Sequence, residues 1–191
     1  MTSIGTRMFT SYSGQRQIRE QTVTETDRDA IVQVINLYGL AIDSRRWDLF
    51  DRVFTADVEA RYGKERHWHD LKSFKQAFEA SHQPFHHTQH AMMNHIVHIA
   101  GNDAQAFTYV SWRLILRNSS HEDVREGSAW YDDLLLRSNG TWLIRKRECK
   151  VTWARRTIVD RATLLEMEAQ QPTAQVRDEA RKGAVPVLSI L

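Results

Sequence analysis

Four strand-like segments separated by short turns dominate the second half of this 191-residue chain and limit the folds it can adopt. They span residues 90–100, 104–117, 127–137 and 141–153, and they are rich in Val, Ile, Trp and Tyr. The turn-forming stretches GND, NSSHED and SNG lie between them. Because short turns of this kind join neighbouring antiparallel strands, the pattern predicts an antiparallel meander.

The residues before these strands have the spacing of helices. Thr26 and Asp27 are typical caps, and apolar residues at helical spacing follow them to about Ala41. The helical period is interrupted in the stretch DSRRWDLFDRVF, which predicts a short second helix. A first strand is predicted at DVEARYG, and a third helix begins at Ser73. Residues 157–170 predict a late helix, as a lid or an interface arm, before a loose tail. Helices followed by a curled antiparallel sheet make an α+β domain.

The length of the chain fits one folded domain with a substantial core. Residues 1–24 lack the apolar region of a secretory signal and predict a flexible arm, residues 25–156 form the domain, and residues 157–191 form a C-terminal helix and tail. No apolar run approaches the ~18 residues that span a bilayer. We therefore expect no membrane association.

Charge and cysteine content narrow the class of partner. The 26 basic and 24 acidic side chains are well mixed and give a formal charge of +2, so the chain shows no footprint for nucleic acid. Small uncharged or amphipathic molecules are the expected partners. The lone Cys149 excludes an internal disulfide and a thiolate zinc site, which favours a cytoplasmic location.

The stretch PFHHTQHAMMNHIVHIAG holds five of the nine histidines. Alternation along a strand places His90, Met92 and Asn94 on one face and His95 on the other, so the five rings do not converge and we expect no metal site. His90 opens the strand, where a side chain can sit at the mouth of a pocket. A single buried histidine is more often a hydrogen-bonded core residue than a catalyst, and a catalytic one needs a carboxylate to fix its tautomer.

Three stretches, LYGLAIDSRRWDLFDRVFTADVEARYG, TQH and NGTWLIRKRECKVTW, resemble scytalone dehydratase and the SnoaL-like proteins of the nuclear transport factor 2-like superfamily over about residues 27–155. The resemblance implies a cystatin-like cone, in which a curved antiparallel sheet wraps around N-terminal helices and encloses an internal pocket. It implies that His90 is the catalytic histidine and Asp43 its supporting acid. It also implies that Tyr62 polarises a substrate carbonyl through water and that Tyr38 is a pocket tyrosine.

Five further residues are candidates for the lining of the substrate pocket. Met92 and Asn94 share the predicted face of His90. Trp112 falls in the stretch where the dehydratase has a second histidine, and Ala129 and Tyr131 fall on its pocket serine and asparagine. These departures imply a different substrate. Trp112 and Tyr131 also fit a core or a subunit interface.

These residues predict a cofactor-independent lyase or isomerase that takes a hydrophobic carbonyl or hydroxy-carbonyl compound. With a hydroxyl β to the abstracted proton the reaction is a dehydration, and without a leaving group it is an isomerisation or cyclisation. No phosphate loop, nucleophile elbow or dinucleotide fingerprint is present, and we expect no cofactor.

Two alternatives stay open, both on the same fold. The chain fits the non-catalytic small subunit of a ring-hydroxylating dioxygenase, and it fits a small-molecule binding protein. For the chain itself, a homo-oligomer, a dimer or a trimer, is a further expectation, because both faces of the strand predicted at residues 104–117 are apolar.

Overall fold

The computed structural model of the chain describes residues 26–160, 162, 164–165 and 173–191. Its strands are β1 Phe54–Tyr62, β2 Arg66–Trp68, β3 His87–Ala100, β4 Asp103–Arg117, β5 His121–Ser138 and β6 Thr141–Asp160. Its helices are α1 Asp27–Ser44, α2 Leu71–His82 and α3 Val176–Arg181, with 3-10 turns at Trp47–Arg52 and Pro186–Ser189. Among these residues, no helix combines the length and the apolar character needed to cross a bilayer.

Helix α1 begins and ends with caps that the sequence supplies. The Thr26 side chain accepts a hydrogen bond from the Asp29 N–H at 3.2 Å, which satisfies one of the free donors of the first turn. The helix continues to Ser44, one turn beyond the predicted end near Ala41, and stops where Arg45 adopts a left-handed conformation at φ 60°. The helix therefore carries Asp43 in its last turn.

The six strands form one curved sheet in the order β2-β1-β6-β5-β4-β3. Strands β3 to β6 pair antiparallel in sequence order, so the predicted meander is confirmed. Strand β1 pairs parallel with β6, and this is possible because no hairpin joins the two strands: β2, α2 and β3 to β5 lie between them in the chain. The sheet is therefore mixed, and the expectation of a wholly antiparallel sheet is wrong at this one pairing.

The core lies between α1, α2 and the inner face of the sheet. It is strongly aromatic, with Phe50, Phe54, Phe74 and Phe78 all buried. Helix α1 crosses β3 so closely that a Cβ added at Gly39 would lie 3.1 Å from the His90 carbonyl oxygen and from Met92 Cε. The missing side chain lets the helix approach the strand, which brings the end of α1 next to the start of β3.

The predicted helix at 157–170 begins too early. Residues 157–160 belong to β6, because β5 extends back to His121 and pairs with Asp160 at the far end of the ladder. Of the rest, only residues 162, 164 and 165 are described, and they are helical. The predicted N-terminal arm at 1–24 also lies outside the described residues.

The C-terminal tail, which we expected to be loose, packs on the domain from residue 173 onward. Leu188 is buried in the core, and its carbonyl oxygen accepts a hydrogen bond from Arg46 Nη1 at 3.3 Å. Arg52 donates to the carbonyl oxygen of Leu191. The buried side chain of Leu188 and the hydrogen bonds from Arg46 and Arg52 hold this segment on the domain, although its sequence shows no clear helical or strand period.

Candidate functional site

Asp43 and His90 are in direct contact through two hydrogen bonds. Asp43 Oδ2 accepts the backbone N–H of His90 at 2.7 Å, and Asp43 Oδ1 lies 2.8 Å from the ring Nδ1. The side chains are only 9% and 8% exposed. Because a carboxylate can only accept, the neutral ring of His90 carries its proton on Nδ1 and leaves a lone pair on Nε2.

The environment of Asp43 keeps it ionised although it is buried. Burial acts to raise the pKa of this carboxyl, but hydrogen bonds from the His90 ring and backbone and from the Thr88 hydroxyl lower the pKa below its usual value. An ionised Asp43 stabilises an imidazolium at His90. The arrangement is therefore able to accept a proton at Nε2.

Three buried tyrosines lie together on the inner side of the sheet. The hydroxyls of Tyr38 and Tyr62 are 2.8 Å apart, and the Tyr131 ring contacts the Tyr38 ring edge-on with centroids 5.8 Å apart. Burial raises the pKa of Tyr38 to about 12 and raises those of Tyr62 and Tyr131 well above their usual value. All three are neutral phenols. The single hydrogen bond between the Tyr38 and Tyr62 hydroxyls uses one of their two protons and leaves the other for a further acceptor.

A buried ion pair supports this tyrosine cluster. Arg147 binds Asp133 through two hydrogen bonds of 2.7 and 2.6 Å, and both side chains are fully buried. The charge of Asp133 raises the pKa of Arg147 further above its usual value, against the effect of burial. The Arg147 guanidinium carbon lies 4.3 Å from the Tyr38 ring centroid and 4.1 Å from that of Tyr131. A fixed positive charge therefore sits behind the phenols.

A β-bulge in β3 changes the predicted face of its residues. The pairing with β4 shifts between Met93 and Ile96, and Asn94 adopts a left-handed conformation at φ 54°. His95 consequently turns inward, and its Nδ1 lies 3.0 Å from Thr108 Oγ1. Asn94 is exposed. The prediction that Asn94 shares the face of His90 and lines the pocket is wrong, because the alternation reverses at the bulge.

The remaining predicted lining residues face inward. Met92 is half-buried beside Gly39, and Ala129 and Tyr131 are buried in the same inner layer. Trp112 lies directly opposite His90 in the ladder, and its ring packs on Gly127, where an added Cβ would lie 2.6 Å from Trp112 Cζ2. Trp112 therefore stands on the same face of the sheet as His90.

Comparison with known families agrees with this architecture. The model for the SnoaL-like domain matches residues 24–148, a range that includes Asp43, Tyr62 and His90. This chain belongs to the SnoaL-like domain family. Its fold is cystatin-like, as expected from the sequence, and is similar to that of a nuclear transport factor 2-like superfamily protein of Salmonella enterica.

Individual relatives of this SnoaL-like domain are distant. An uncharacterized protein of Mycobacterium tuberculosis is 29% identical over 136 residues, covering 65% of this chain and 86% of the relative. A Novosphingobium aromaticivorans structure provisionally assigned as scytalone dehydratase has a TM-score of 0.61 at 18% identity, covering 67% of this chain and 85% of that one. A hexachlorocyclohexane dehydrochlorinase, LinA, has a TM-score of 0.62 at 15% identity, covering 68% and 88%. These two structures establish the fold.

His82, which no sequence pattern indicated, lies beside the pair. Its ring centroid is 5.9 Å from that of His90, and its Nδ1 lies 2.7 Å from the Phe78 carbonyl oxygen. Burial lowers the pKa of His82 to about 4, with the charge of His90 as a further cause. His82 is therefore a neutral group at physiological pH. It belongs to α2, and no local pattern connects it with β3.

The Asp133–Arg147 pair of the SnoaL-like domain was also missed, although the sequence contains a signal for it. Asp133 alternates with Tyr131 and Leu135, and Arg147 stands two residues before Cys149, so each charge lies on an inward position. Two opposite charges on the buried face of adjacent strands predict a pair. Burial raises the pKa of Cys149 to about 11, so this residue is a neutral thiol and no nucleophile.

The histidines outside this site have other partners. The rings of His67, in β2, and His69, just after it, have centroids 4.0 Å apart, and His67 Nε2 is 3.2 Å from Glu59 Oε1. Within the part of the chain that the structure describes, no three His, Cys, Asp or Glu side chains converge as a metal site would require. The contact between His67 and Glu59 is a polar contact at the surface.

A large cavity of about 940 Å³ lies elsewhere, between α1, the β5–β6 turn and the C-terminal residues. Leu37, Trp142 and Val187 contribute to its lining, whereas His90 and Asp43 do not. We assign the candidate site to the Asp43–His90 pair and not to this cavity. The pair combines a buried base with a fixed tautomer, which is the chemistry that a proton abstraction requires.

Proposed function

We propose that this protein is a cofactor-independent lyase or isomerase in which His90 removes a proton next to a carbonyl group of a hydrophobic small molecule. The observation that carries the proposal is the double contact of Asp43 with the backbone and the ring of His90. This contact fixes the tautomer with Nε2 as acceptor and places a negative charge where the imidazolium forms. Asp43 is then the group that orients and stabilises the base.

The tyrosine cluster supplies the second requirement, stabilisation of the negative charge on the substrate oxygen. Removal of a proton next to a carbonyl makes an enolate, and a neutral phenol donates a hydrogen bond to it. Tyr38 and Tyr62 remain protonated because burial raises their pKa values. Arg147, which lies behind the Tyr38 ring, adds a positive charge on the same side. We assign the enolate-stabilising role to these tyrosines.

The fate of the intermediate depends on the substrate. If a hydroxyl is β to the abstracted proton, His90 returns the proton to that oxygen and water leaves. If no leaving group is present, the double bond moves or a ring closes. The names of the two structural relatives, a dehydratase and a dehydrochlorinase, both denote eliminations. They favour elimination over isomerisation for this chain.

Solvent exchange tests the proposal without knowledge of the natural substrate. Hydrophobic ketones and β-hydroxy ketones are incubated with the protein in D₂O, and mass spectrometry follows deuterium entering the carbon next to the carbonyl and loss of water. We expect at least one compound to react with the wild type and not with His90→Gln. His98→Gln, on an exposed position of the same strand, is the matched control and should react like the wild type. Equal reaction of His90→Gln would refute His90 as the base.

We also propose that the protein assembles with copies of itself through the outer face of the sheet. Ile96 is 68% exposed there, and Met93 and Tyr109 are each 40% exposed. Phe107 packs edge-on against Tyr109 at 5.0 Å and extends this apolar area. Light scattering should give a dimer or trimer for the wild type and a smaller species for Ile96→Glu. A monomeric wild type would contradict this assembly.

A further inference from the structure

A further cavity, of about 500 Å³, lies between the C-terminal end of α1 and the helices α2 and α3. The α2 side of its lining includes Glu79 and the C-cap Gln83, one turn apart. The α3 side consists of Arg177 and Arg181, also one turn apart. This volume is in the range of pockets that hold small molecules. Because the proposed base and its acid do not line it, the cavity is a candidate ligand site separate from the catalytic pair.

Positive charge predominates around this cavity. Three arginines line it, namely Arg45, Arg177 and Arg181. Among the described lining residues the one acid is Glu79, which is exposed. Asp178, outside the lining, accepts Arg177 Nε at 2.9 Å and lies 3.9 Å from Arg181 Nη1. Two carboxylates therefore accompany three guanidinium groups, which leaves one positive charge in excess.

The guanidinium of Arg45 is held in place by neutral groups. Its Nη1 donates to the Ile42 carbonyl oxygen at 2.6 Å and to Thr88 Oγ1 at 2.9 Å. Its Nη2 donates to the carbonyl oxygens of His82 at 3.1 Å and Phe85 at 3.4 Å. These four acceptors fix the planar group, but none of them is a carboxylate. The charge of Arg45 is therefore held beside the cavity without a directly bound counter-charge.

Arg177 brings a second cation next to Arg45. Its Nη1 donates at 3.4 Å to the Phe85 carbonyl oxygen, which also accepts Arg45 Nη2. Two guanidinium groups that share one acceptor repel each other. The pKa of Arg45 is lowered to about 10, first by burial and then by the charges of Arg177 and Arg181. An anion in the cavity relieves this repulsion.

We propose that this cavity binds a small organic anion, with its carboxylate or phosphate group between Arg45, Arg177 and Arg181. Guanidinium groups bind such oxygens through short, charge-assisted hydrogen bonds. The Arg181 side chain is 70% exposed, so it is free to turn toward the ligand. Trp47 supplies an aromatic wall for the organic part, and Gln83 supplies an amide. The site does not rest on the proposed function.

Nitrogen-15 NMR of the full chain tests the site with two probes, benzoate and phenyl phosphate, which share a ring and differ in the anionic group. Sodium chloride at equal ionic strength is the reference. We expect saturable shifts of the Trp47 indole N–H and the Gln83 side-chain amide with at least one probe, and none with chloride. The probe that binds identifies the anionic group. Arg181→Gln should weaken the binding by about tenfold, because one charge-assisted contact is lost.

Lys182→Gln is the matched control. Lys182 directly follows Arg181 and carries the same charge, but it pairs with Glu179 at 2.7 Å and does not line the cavity. This variant should bind the probe like the wild type. Glu79→Gln should act in the opposite direction, because it removes a negative charge from the lining, and we expect binding to become roughly twofold tighter or more.

Two results would overturn the site. The first is a lack of saturable shifts at Trp47 and Gln83 with both probes. The second is equal weakening by Arg181→Gln and Lys182→Gln, since binding would then depend on net charge alone. His90→Gln should bind the probes like the wild type, so a failure of the proposed catalytic function leaves this result unchanged.

Discussion

One carboxylate of α1, Asp43, binds both the backbone N–H and the ring Nδ1 of His90 in β3. The backbone contact fixes where β3 begins relative to the helix, and the ring contact fixes the tautomer. The same side chain therefore contributes to the fold and to the base. Variants of Asp43 separate these two contributions.

Asp43→Asn should remove most of the activity and leave the fold intact. The amide oxygen still accepts the His90 backbone N–H, but the amide NH₂ is a donor and cannot accept Nδ1–H as the carboxylate does. We expect a loss in kcat of about 100-fold or more, because the negative charge and the tautomer are both lost. Asp48→Asn, at an exposed site paired with Arg46, should retain full activity. Normal activity of Asp43→Asn would show that the carboxylate has no catalytic part.

The hydrogen bond between the Tyr38 and Tyr62 hydroxyls should appear as coupling in a double-mutant cycle. Each single change to Phe leaves a buried hydroxyl without this partner and should lower the free energy of unfolding by about 1–2 kcal/mol. The double variant leaves neither hydroxyl, so its loss should be smaller than the sum. Urea unfolding measures all four proteins. Strict additivity would mean that the two hydroxyls do not interact.

The Asp133–Arg147 pair should behave as a buried ion pair. Arg147→Met leaves Asp133 charged and uncompensated inside the core, and we expect a destabilisation of about 3–5 kcal/mol. The double variant with Asp133→Leu removes both charges and should recover much of this loss. Chemical denaturation of the wild type and the two variants checks the expectation. A double variant no more stable than Arg147→Met would contradict it.

His82 should make the protein less stable in acid. Its pKa is lowered from 6.5 to about 4 in the folded state, so the unfolded chain binds the extra proton first as pH falls. The neutral His82 contributes its full stabilisation above pH 6.5. As the pH falls to about 4 this contribution is lost, which lowers the free energy of unfolding by about 3 kcal/mol in total. His82→Gln should lose less free energy of unfolding than the wild type over that interval. Parallel pH profiles would contradict burial of a neutral His82.

The bulge at Asn94 should prefer residues that accept a left-handed backbone. Valine at φ 54° places its branched side chain against the backbone, and we expect Asn94→Val to lose about 1–2 kcal/mol of stability. Asn94→Gly should be neutral or slightly stabilising. Thermal unfolding of both variants tests this, and equal melting temperatures would argue against the bulge.

Much of the fold follows from local pattern. The capped helix at Thr26 and the strands β3 and β4 are set by residues close in sequence and were predictable within a few positions, whereas β5 begins at His121 and not at residue 127. The faces of β3 were predictable only as far as Met92, because strict alternation has no means of showing the bulge at Asn94. The end of β6 was missed for a different reason, since its pairing with His121 is a contact between strands.

Part of the candidate site could be predicted from the sequence. Asp43, His90, Tyr38 and Tyr62 came from short motifs and a family resemblance. Arg45 and His82 depend on contacts between separate elements, which spacing within one element does not reveal. Thr88 lies two residues before His90 in the TQH motif, so its position on the same face of the strand as His90 was predictable. Its hydrogen bond to Arg45 was not predictable from the sequence.

The most direct test of the central claim is the tautomer of His90, measured by nitrogen-15 NMR of the imidazole near neutral pH, with His90→Gln to assign the signal. We expect a protonated Nδ1 and an unprotonated Nε2 in the wild type, and a change of tautomer in Asp43→Asn. A wild-type ring protonated on Nε2, or one unaffected by Asp43→Asn, would contradict an Asp43–His90 base.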